Sequence, residues 1–232
     1  MEKWDILVTR ATGAENMKRD IALYESHENG SKVSTLGIYS WTKPCISLGY
    51  SQKIDDEIDV EKVNYFGWDI VQRPTGGGIV FHNKNEVTYS IITSINNELL
   101  PNNLVQSYKK ISEAIVFALN SIGISTEISH IKQKQQSSKP NLCFSYPAEY
   151  EIVSEGRKIV GSAQKRGKLT LLQQGSIFMS PNEAQYLSML KKPYLPYNAI
   201  SVEEIAGRKI SFDEMSGSLI NGFAKHLGVE FV

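Results

Sequence analysis

The densest candidate for binding chemistry is a run of three glycines, Gly76, Gly77 and Gly78, that follows Arg73 in the segment RPTGGG. Consecutive glycines cost backbone entropy and contribute no packing, so they are common where a ligand or another backbone segment must approach closely. A tight turn between two strands is the alternative explanation of the same residues. The run matches neither the Walker A loop nor the GxGxxG element, so a generic nucleotide-binding site is not expected.

Cysteine and histidine are the other residue types that could do chemistry. The chain has two cysteines, Cys45 and Cys143, and four histidines, and none of these falls at a metal-ligand spacing such as CxxC or HExxH. A structural zinc is therefore not expected. A cysteine beside a phenylalanine, as Cys143 is, is on composition alone more often a small buried residue than a nucleophile. Cys45 lies in an apolar stretch, and we interpret it as a packing residue.

Length and charge exclude several classes of function. The chain has 232 residues, with 25 basic and 25 acidic side chains, so it has no net charge. Wrapping of nucleic acid or binding to an anionic membrane is therefore not favoured. The charged first ten residues do not resemble a signal peptide, and two separated cysteines fit a reducing compartment. These features predict a soluble, cytoplasmic, globular protein.

Hydrophobic periodicity predicts the elements that must position these residues. Residues 104–119 carry apolar side chains at helical spacing, with Gly123 placed to end the helix. Thr12 with Glu15 forms a capping box for an earlier helix, and three further boxes are predicted near the C-terminus, at 180–183, at Ser201 with Glu204 and at Ser211 with Glu214. Strands are predicted at 4–10, 33–40, 45–50, 68–73, 79–82, 87–93, 148–153, 158–164 and 169–179. The strands come in groups rather than alternating with helices, which favours an α+β fold. Since no long linker is visible, a single domain over residues 1–232 is expected, with a polar loop at 132–141 that we expect to order when a partner docks.

The wider context of the glycines resembles a known superfamily. RPTGGGIVFH at 73–82, followed by EVTYS at 86–90, resembles the RRxxGGGxVxH signature of the biotin/lipoate ligase and octanoyltransferase superfamily. PCISLGYSQ at 44–52 and KIVGSAQ at 158–164 agree with it. Two departures are Gln72 in place of a second arginine and Asn83 in place of an aspartate after His82. The first weakens the case for phosphate contacts, and the second argues against a carboxylate-assisted role for His82.

The segment around Cys143 distinguishes between branches of this superfamily. NLCFSYPAEYEI at 141–152 resembles the CFxxPxxYEI segment of cysteine-dependent octanoyltransferases, whereas ATP-using lipoate ligases generally have an Asn-Asp pair there. The resemblance implies a mixed, largely antiparallel β-sheet flanked by helices, with Cys143 as nucleophile and Lys158 as its electrostatic partner. It also implies an acyl pocket formed by Arg73, Gly76, Gly77, Gly78, His82, Gly161, Ser162 and Ala163.

The implied reaction moves an octanoyl group from acyl carrier protein to a lysine of a lipoyl domain, through a cysteine thioester. The acceptors would be lipoyl domains of 2-oxoacid dehydrogenases or the glycine cleavage H protein, and no metal or organic cofactor is implied. A thiolate is a strong nucleophile and a good leaving group. A free cysteine has a pKa of about 8.5, so a nearby cation is needed to hold the thiolate at neutral pH. Lys158 is the cation that the resemblance supplies.

Three other functions stay open at this point. An ATP-dependent lipoate-protein ligase would share the fold, although the cysteine segment and the end of the chain at Val232, which leaves no accessory domain, argue against it. An octanoyl amidotransferase between lipoyl proteins would use the same cysteine with a different donor. A catalytically silent acyl-binding protein would leave Cys143 unreactive.

Overall fold

A computed structural model describes residues 1–130, 143–144, 149–181, 185–191 and 198–232. The predicted loop at 132–141 and the start of the predicted strand at 148–153 lie outside these residues. The strands are β1 Glu2–Ala11, β2 Thr35–Trp41, β3 Cys45–Leu48, β4 Asp69–Gln72, β5 Val80–His82, β6 Val87–Ser94, β7 Glu127–Ile128, β8 Ile152–Ser154, β9 Arg157–Arg166, β10 Thr170–Ile177 and β11 Val229–Phe231. The helices are α1 Gly13–Glu28, α2 Ile54–Glu57, α3 Val60–Tyr65, α4 Leu104–Ser121, α5 Gln185–Ser188, α6 Val202–Ala206 and α7 Phe212–Leu227.

Most of the strands belong to one mixed sheet. Within the described ranges this sheet has eight strands in the order β11-β1-β2-β6-β10-β9-β8-β7, and a smaller sheet has the order β4-β3-β5. Strand β1 runs parallel to β2 and β11, whereas the pairs from β2 through β6, β10, β9 and β8 to β7 are antiparallel. The expected α+β class, with a largely antiparallel sheet flanked by helices, is confirmed.

The main core lies where α4 and α7 cover the large sheet. Trp4, Ile38, Ile111, Leu219 and Phe223 are all fully buried in this cluster. The apolar stripe predicted for residues 104–119 is therefore a core face, as its spacing indicated. None of the helices in the described segments is long and apolar enough to cross a lipid bilayer.

The predicted capping boxes differ in their outcome. Those of Thr12 with Glu15 and of Ser201 with Glu204 are complete. Ser211 accepts a hydrogen bond from the backbone of Glu214, but the Glu214 carboxylate is bound by Arg208 and does not close the box. The fourth predicted box, at 180–183, lies partly outside the described residues.

Candidate active site

The glycine run is held from beneath by a buried arginine. One terminal nitrogen of Arg73 donates to the carbonyl and hydroxyl oxygens of Ser47, both at 2.7 Å. The other donates to the carbonyls of Gly76 at 3.1 Å and Gly78 at 2.8 Å. Gly77 has φ of +94°, which favours glycine at this position. The glycine run is thus a loop whose backbone is held in place by the Arg73 guanidinium. The same side chain also faces the pocket.

A second set of hydrogen bonds ties the same loop to the sheet and to α1. The hydroxyl of Thr75 donates to the side-chain oxygen of Gln174 at 2.9 Å, and the Gln174 amide donates to Asp20 at 2.8 Å. Tyr39 and Ser90 also donate to the Asp20 carboxylate, both at 3.0 Å. Burial raises the pKa of Asp20, although these hydrogen bonds act to lower it. The sequence analysis did not predict this network, because its members come from α1, β2, β6, β10 and the loop after β4.

His82 is a neutral wall residue. Its ring stacks on Trp41 with centroids 4.0 Å apart, and its two nitrogens hydrogen-bond with Ser47 at 2.6 Å and Ser176 at 3.4 Å. Burial, with a smaller contribution from the nearby arginine, holds the pKa of His82 well below its usual value. Ser176 also donates to Glu86 at 3.0 Å, and burial raises the pKa of Glu86 to about 8. Both side chains are therefore mainly uncharged at neutral pH.

A pocket that is partly open to solvent lies between α1, β2, β5 and the β9–β10 hairpin, with Arg73 and Cys143 in its lining. The pocket brings together six of the residues predicted from sequence, namely Arg73, His82, Cys143, Gly161, Ser162 and Ala163. Its other walls include Met17, Tyr39 and Trp41, which were not predicted.

The other predicted residues lie close behind this lining. Lys158 is buried with 2% exposure and lies beneath Gly161 and Cys143. The glycine loop lies next to Ala163, because a β carbon added to Gly77 would lie 3.9 Å from the β carbon of Ala163. Cys45 is fully buried, and burial raises its pKa strongly. Its interpretation as a packing residue is confirmed.

The side chains of Cys143, Lys158 and Glu151 lie in contact with one another, with the ammonium of Lys158 between the thiol and the carboxylate. The Nζ of Lys158 lies 3.7 Å from the Sγ of Cys143, 2.5 Å from the Cys143 carbonyl and 2.5 Å from the Glu151 carboxylate. Burial acts to lower the pKa of Lys158, but the charges of the Cys143 thiolate and Glu151 outweigh it and raise that pKa. Lys158 is therefore a buried ammonium, not a solvated surface charge.

Glu151 is the residue of this centre that sequence reasoning did not assign. It is 8% exposed and follows Tyr150, whose backbone has φ of +70°. The sequence feature that could have pointed to Glu151 is its position in the YEI part of the cysteine segment. A glutamate at the edge of a predicted strand is, however, usually exposed to solvent.

Gly161 provides a direct test of how closely the thiol and the ammonium are packed. A β carbon at this position would lie 2.8 Å from the Cys143 Sγ and 3.2 Å from the Cε of Lys158. Gly161→Ala must therefore displace one or both groups, and we expect the acylation of Cys143 that the family resemblance implies to slow roughly 10- to 100-fold, the scale of a 1 Å misplacement. The measurement is the rate of mass increase on incubation with an octanoyl thioester. The matched control is Gly217→Ala on α7, where an added β carbon meets nothing within 4 Å. Wild-type rates in Gly161→Ala would contradict the geometry.

Comparison with known proteins identifies the family. Residues 12–224 match the lipoyl protein ligase A/B catalytic domain. The chain is similar to Octanoyltransferase LipM of Clostridioides difficile, with 35% identity covering 100% of this chain and 90% of that protein. It is likewise similar to Octanoyltransferase LipM of Geobacillus kaustophilus, with 35% identity covering 93% of this chain and 83% of that protein.

Solved structures share the fold at lower identity. A crystal structure of lipoate-protein ligase A bound with ATP superposes with a TM-score of 0.81 and 23% identity, covering 100% of this chain and 88% of that chain. A putative lipoate protein ligase from T. acidophilum with bound lipoic acid gives a TM-score of 0.78 at 23% identity, with the same coverage. The match over nearly the whole chain and the octanoyltransferase relatives together show that the protein is an acyltransferase that belongs to the lipoyl protein ligase A/B catalytic domain family.

Proposed function

We propose that the protein transfers an octanoyl group from acyl carrier protein to a lysine of a lipoyl domain, through a thioester on Cys143. The observation that carries the proposal is the thiol of Cys143 at the wall of the pocket, with the buried ammonium of Lys158 at 3.7 Å from its sulfur. The relatives named Octanoyltransferase LipM support octanoate as the acyl group. Both cysteines are free thiols, which agrees with a reducing cytoplasm.

In the first half-reaction the Cys143 sulfur attacks the carbonyl carbon of the donor thioester. The bond from that carbon to the carrier sulfur breaks, and the carrier leaves with the proton that Cys143 gives up. Negative charge develops on the carbonyl oxygen during the attack. Lys158 is a fixed cation in a site largely removed from water, where it stabilises both this oxygen and the thiolate.

In the second half-reaction the amine of the acceptor lysine attacks the acyl-Cys143 carbonyl. An amide bond forms, the bond between carbon and Sγ breaks, and the proton lost by nitrogen restores the thiol. The octanoyl chain lies in the pocket whose walls and support are Arg73, Gly76, Gly77, Gly78, His82, Gly161, Ser162 and Ala163. His82 contributes a neutral surface and transfers no proton, because both of its nitrogens are occupied by serines.

The acceptor is a lipoyl domain, of a 2-oxoacid dehydrogenase or of the glycine cleavage H protein. An archaeal lipoylation system of the same fold was solved as a bipartite lipoate protein ligase and its E2 lipoyl domain, which is consistent with an acceptor of this kind. The donor is a carrier-protein thioester because it already contains the activation that ATP otherwise supplies, and a cysteine nucleophile is suited to thioester exchange.

A donor experiment tests the proposal. Purified protein and an apo lipoyl domain are offered octanoyl-acyl carrier protein without nucleotide, or free octanoate or lipoate with ATP. We expect the lipoyl domain to gain the octanoyl mass in the first mixture, with no dependence on added ATP. Modification only with ATP and free acid would support the ligase alternative, and transfer only from an octanoylated lipoyl protein would support the amidotransferase.

A further inference from the structure

The three protons of the Lys158 ammonium have three acceptors around them. Two are on Cys143, its carbonyl at 2.5 Å and its sulfur at 3.7 Å, and the third is the Glu151 carboxylate at 2.5 Å. An ammonium has three donors and no acceptor. The side chains of the ion pair are 2% and 10% exposed, so water contributes little to holding the charge.

The negative charges near Lys158 do not persist through the whole reaction. A negative charge on the Cys143 sulfur and the charge of Glu151 both act to raise the pKa of Lys158 against the effect of burial. The sulfur can supply that charge only while it carries no acyl group. Once the sulfur carries an acyl group it is neutral, and the only one of these two anions that remains is Glu151. The burial of Lys158 is unchanged at that stage.

Among the residues that the structure describes, the other charged or aromatic side chains near this centre do not replace the lost anion. Tyr108 comes from α4, and burial, followed by the charge of Glu151, raises its pKa well above its ordinary value, so its phenol is neutral. Arg73, from the end of β4, is a cation within electrostatic reach of Cys143. Phe144 presents its ring at 5.5 Å from the Lys158 Nζ and carries no charge.

We propose that Glu151 is a positioning residue that keeps Lys158 ionised and directed at the acyl carbonyl after Cys143 has been acylated, so that it acts mainly on transfer to the acceptor amine. This inference rests on the proposed thioester route and deepens it. In that transfer the amine nitrogen bonds to the carbonyl carbon, the C–S bond breaks, and the proton leaving nitrogen goes to sulfur. Lys158 gives up no proton, but it must be charged to stabilise the oxygen.

The sign of the pH effect follows from the charge of Lys158. The ammonium is the active form, so activity is lost as pH rises through its pKa. Without Glu151 the acyl-enzyme has a buried lysine that contacts no other anion among the described residues, and burial moves the pKa of such a lysine down. We therefore expect the second step in Glu151→Gln to lose activity at lower pH than in the wild type.

The test separates the two half-reactions in single-turnover measurements from pH 6 to 10. For Glu151→Gln we expect acylation by octanoyl-acyl carrier protein to slow only a few-fold, and transfer to the lipoyl domain to slow roughly 10- to 100-fold, with a deficit that grows as pH rises. The titration of the acceptor amine changes the rates of the variant and of the wild type equally. The ratio of the two rates at each pH therefore does not contain it. The matched control is Glu155→Gln, which removes an exposed carboxylate paired with Arg157 in the same hairpin. This control should leave both steps unchanged.

Equal losses in both steps, at a ratio independent of pH, would assign Glu151 a purely structural role and overturn the inference. Absence of any adduct on wild-type Cys143 would instead overturn the thioester route. Because Glu151→Gln could fail to fold, a second measurement uses the wild type with Cys143 blocked by iodoacetamide. Nitrogen NMR of Lys158 in this blocked protein should show an ammonium throughout the neutral pH range, as for an ordinary lysine. Titration at neutral pH in this blocked protein would also overturn the inference.

Discussion

Replacing Cys143 by alanine should abolish both the acyl adduct and turnover. The wild type, mixed with octanoyl-acyl carrier protein and no acceptor, should gain an octanoyl mass on the peptide that contains Cys143, removable by hydroxylamine. The alanine variant has no sulfur at the pocket wall, and water or the acceptor amine would have to attack the donor thioester unaided. Mass spectrometry of the intact protein and of its peptides measures the adduct, and octanoylation of a lipoyl domain measures turnover.

Cys45→Ala is the matched control for this experiment. Cys45 is fully buried on β3 and packs with Met17, Tyr39 and Trp41. Its removal should lower stability modestly, by the loss of a small buried side chain, while the adduct and turnover persist. An adduct on Cys45, or normal turnover in Cys143→Ala, would show that the nucleophile has been wrongly assigned and would favour the ligase or acyl-binding alternatives.

Lys158→Ala should lower the rate of acyl transfer by about 100-fold or more, the scale observed when one stabilising donor is removed from an acyl-transfer site. The same change leaves Glu151 buried without its cation, which typically costs about 3–5 kcal/mol of folding stability. Rates must therefore be measured below the unfolding temperature of the variant. Lys158→Met is the closer match, because it removes the charge and keeps much of the apolar volume.

Lys158→Arg should not restore full activity. A planar guanidinium presents its charge differently from a compact ammonium, and the space beneath Gly161 and Cys143 is closely packed. Wild-type rates in Lys158→Met would show that the charge of Lys158 is not required. Wild-type rates in Lys158→Arg would show that a positive charge is enough and that the geometry of the ammonium is not required.

The sequence predicted the fold class and most of the strands because local periodicity and turn residues carry that information. The helix of residues 104–119 and the strand of residues 87–93 match α4 and β6 closely, since each has a regular apolar face. The strand predicted at 45–50 ends earlier, at Leu48, because the next residues turn towards the glycine loop, where the Tyr50 amide donates to the Thr75 carbonyl at 2.9 Å.

Only the site residues that lie in the family motifs could be predicted from the sequence. Cys143 and Lys158 could be paired by resemblance, and the structure brings them together. The contact of Glu151 with Lys158, and the link from Thr75 through Gln174 to Asp20, depend on pairing between distant segments. The YEI part of the cysteine segment marked the position of Glu151, but local pattern does not say whether a glutamate is buried or which distant side chain it contacts.

Strand β9 has a consequence for how the substrate range of this protein could change. Lys158 and the pocket residues Gly161, Ser162 and Ala163 lie on this one strand, so the spacing between the reactive end and the near wall is fixed by covalent backbone geometry. Other parts of the lining come from different elements, with Met17 on α1 and Trp41 on β2. In the proposed reaction, substitutions at these positions reshape the space for the acyl tail while Lys158 and the pocket residues of β9 keep their spacing. The choice of acyl group can therefore change without a change in the strand that carries Lys158.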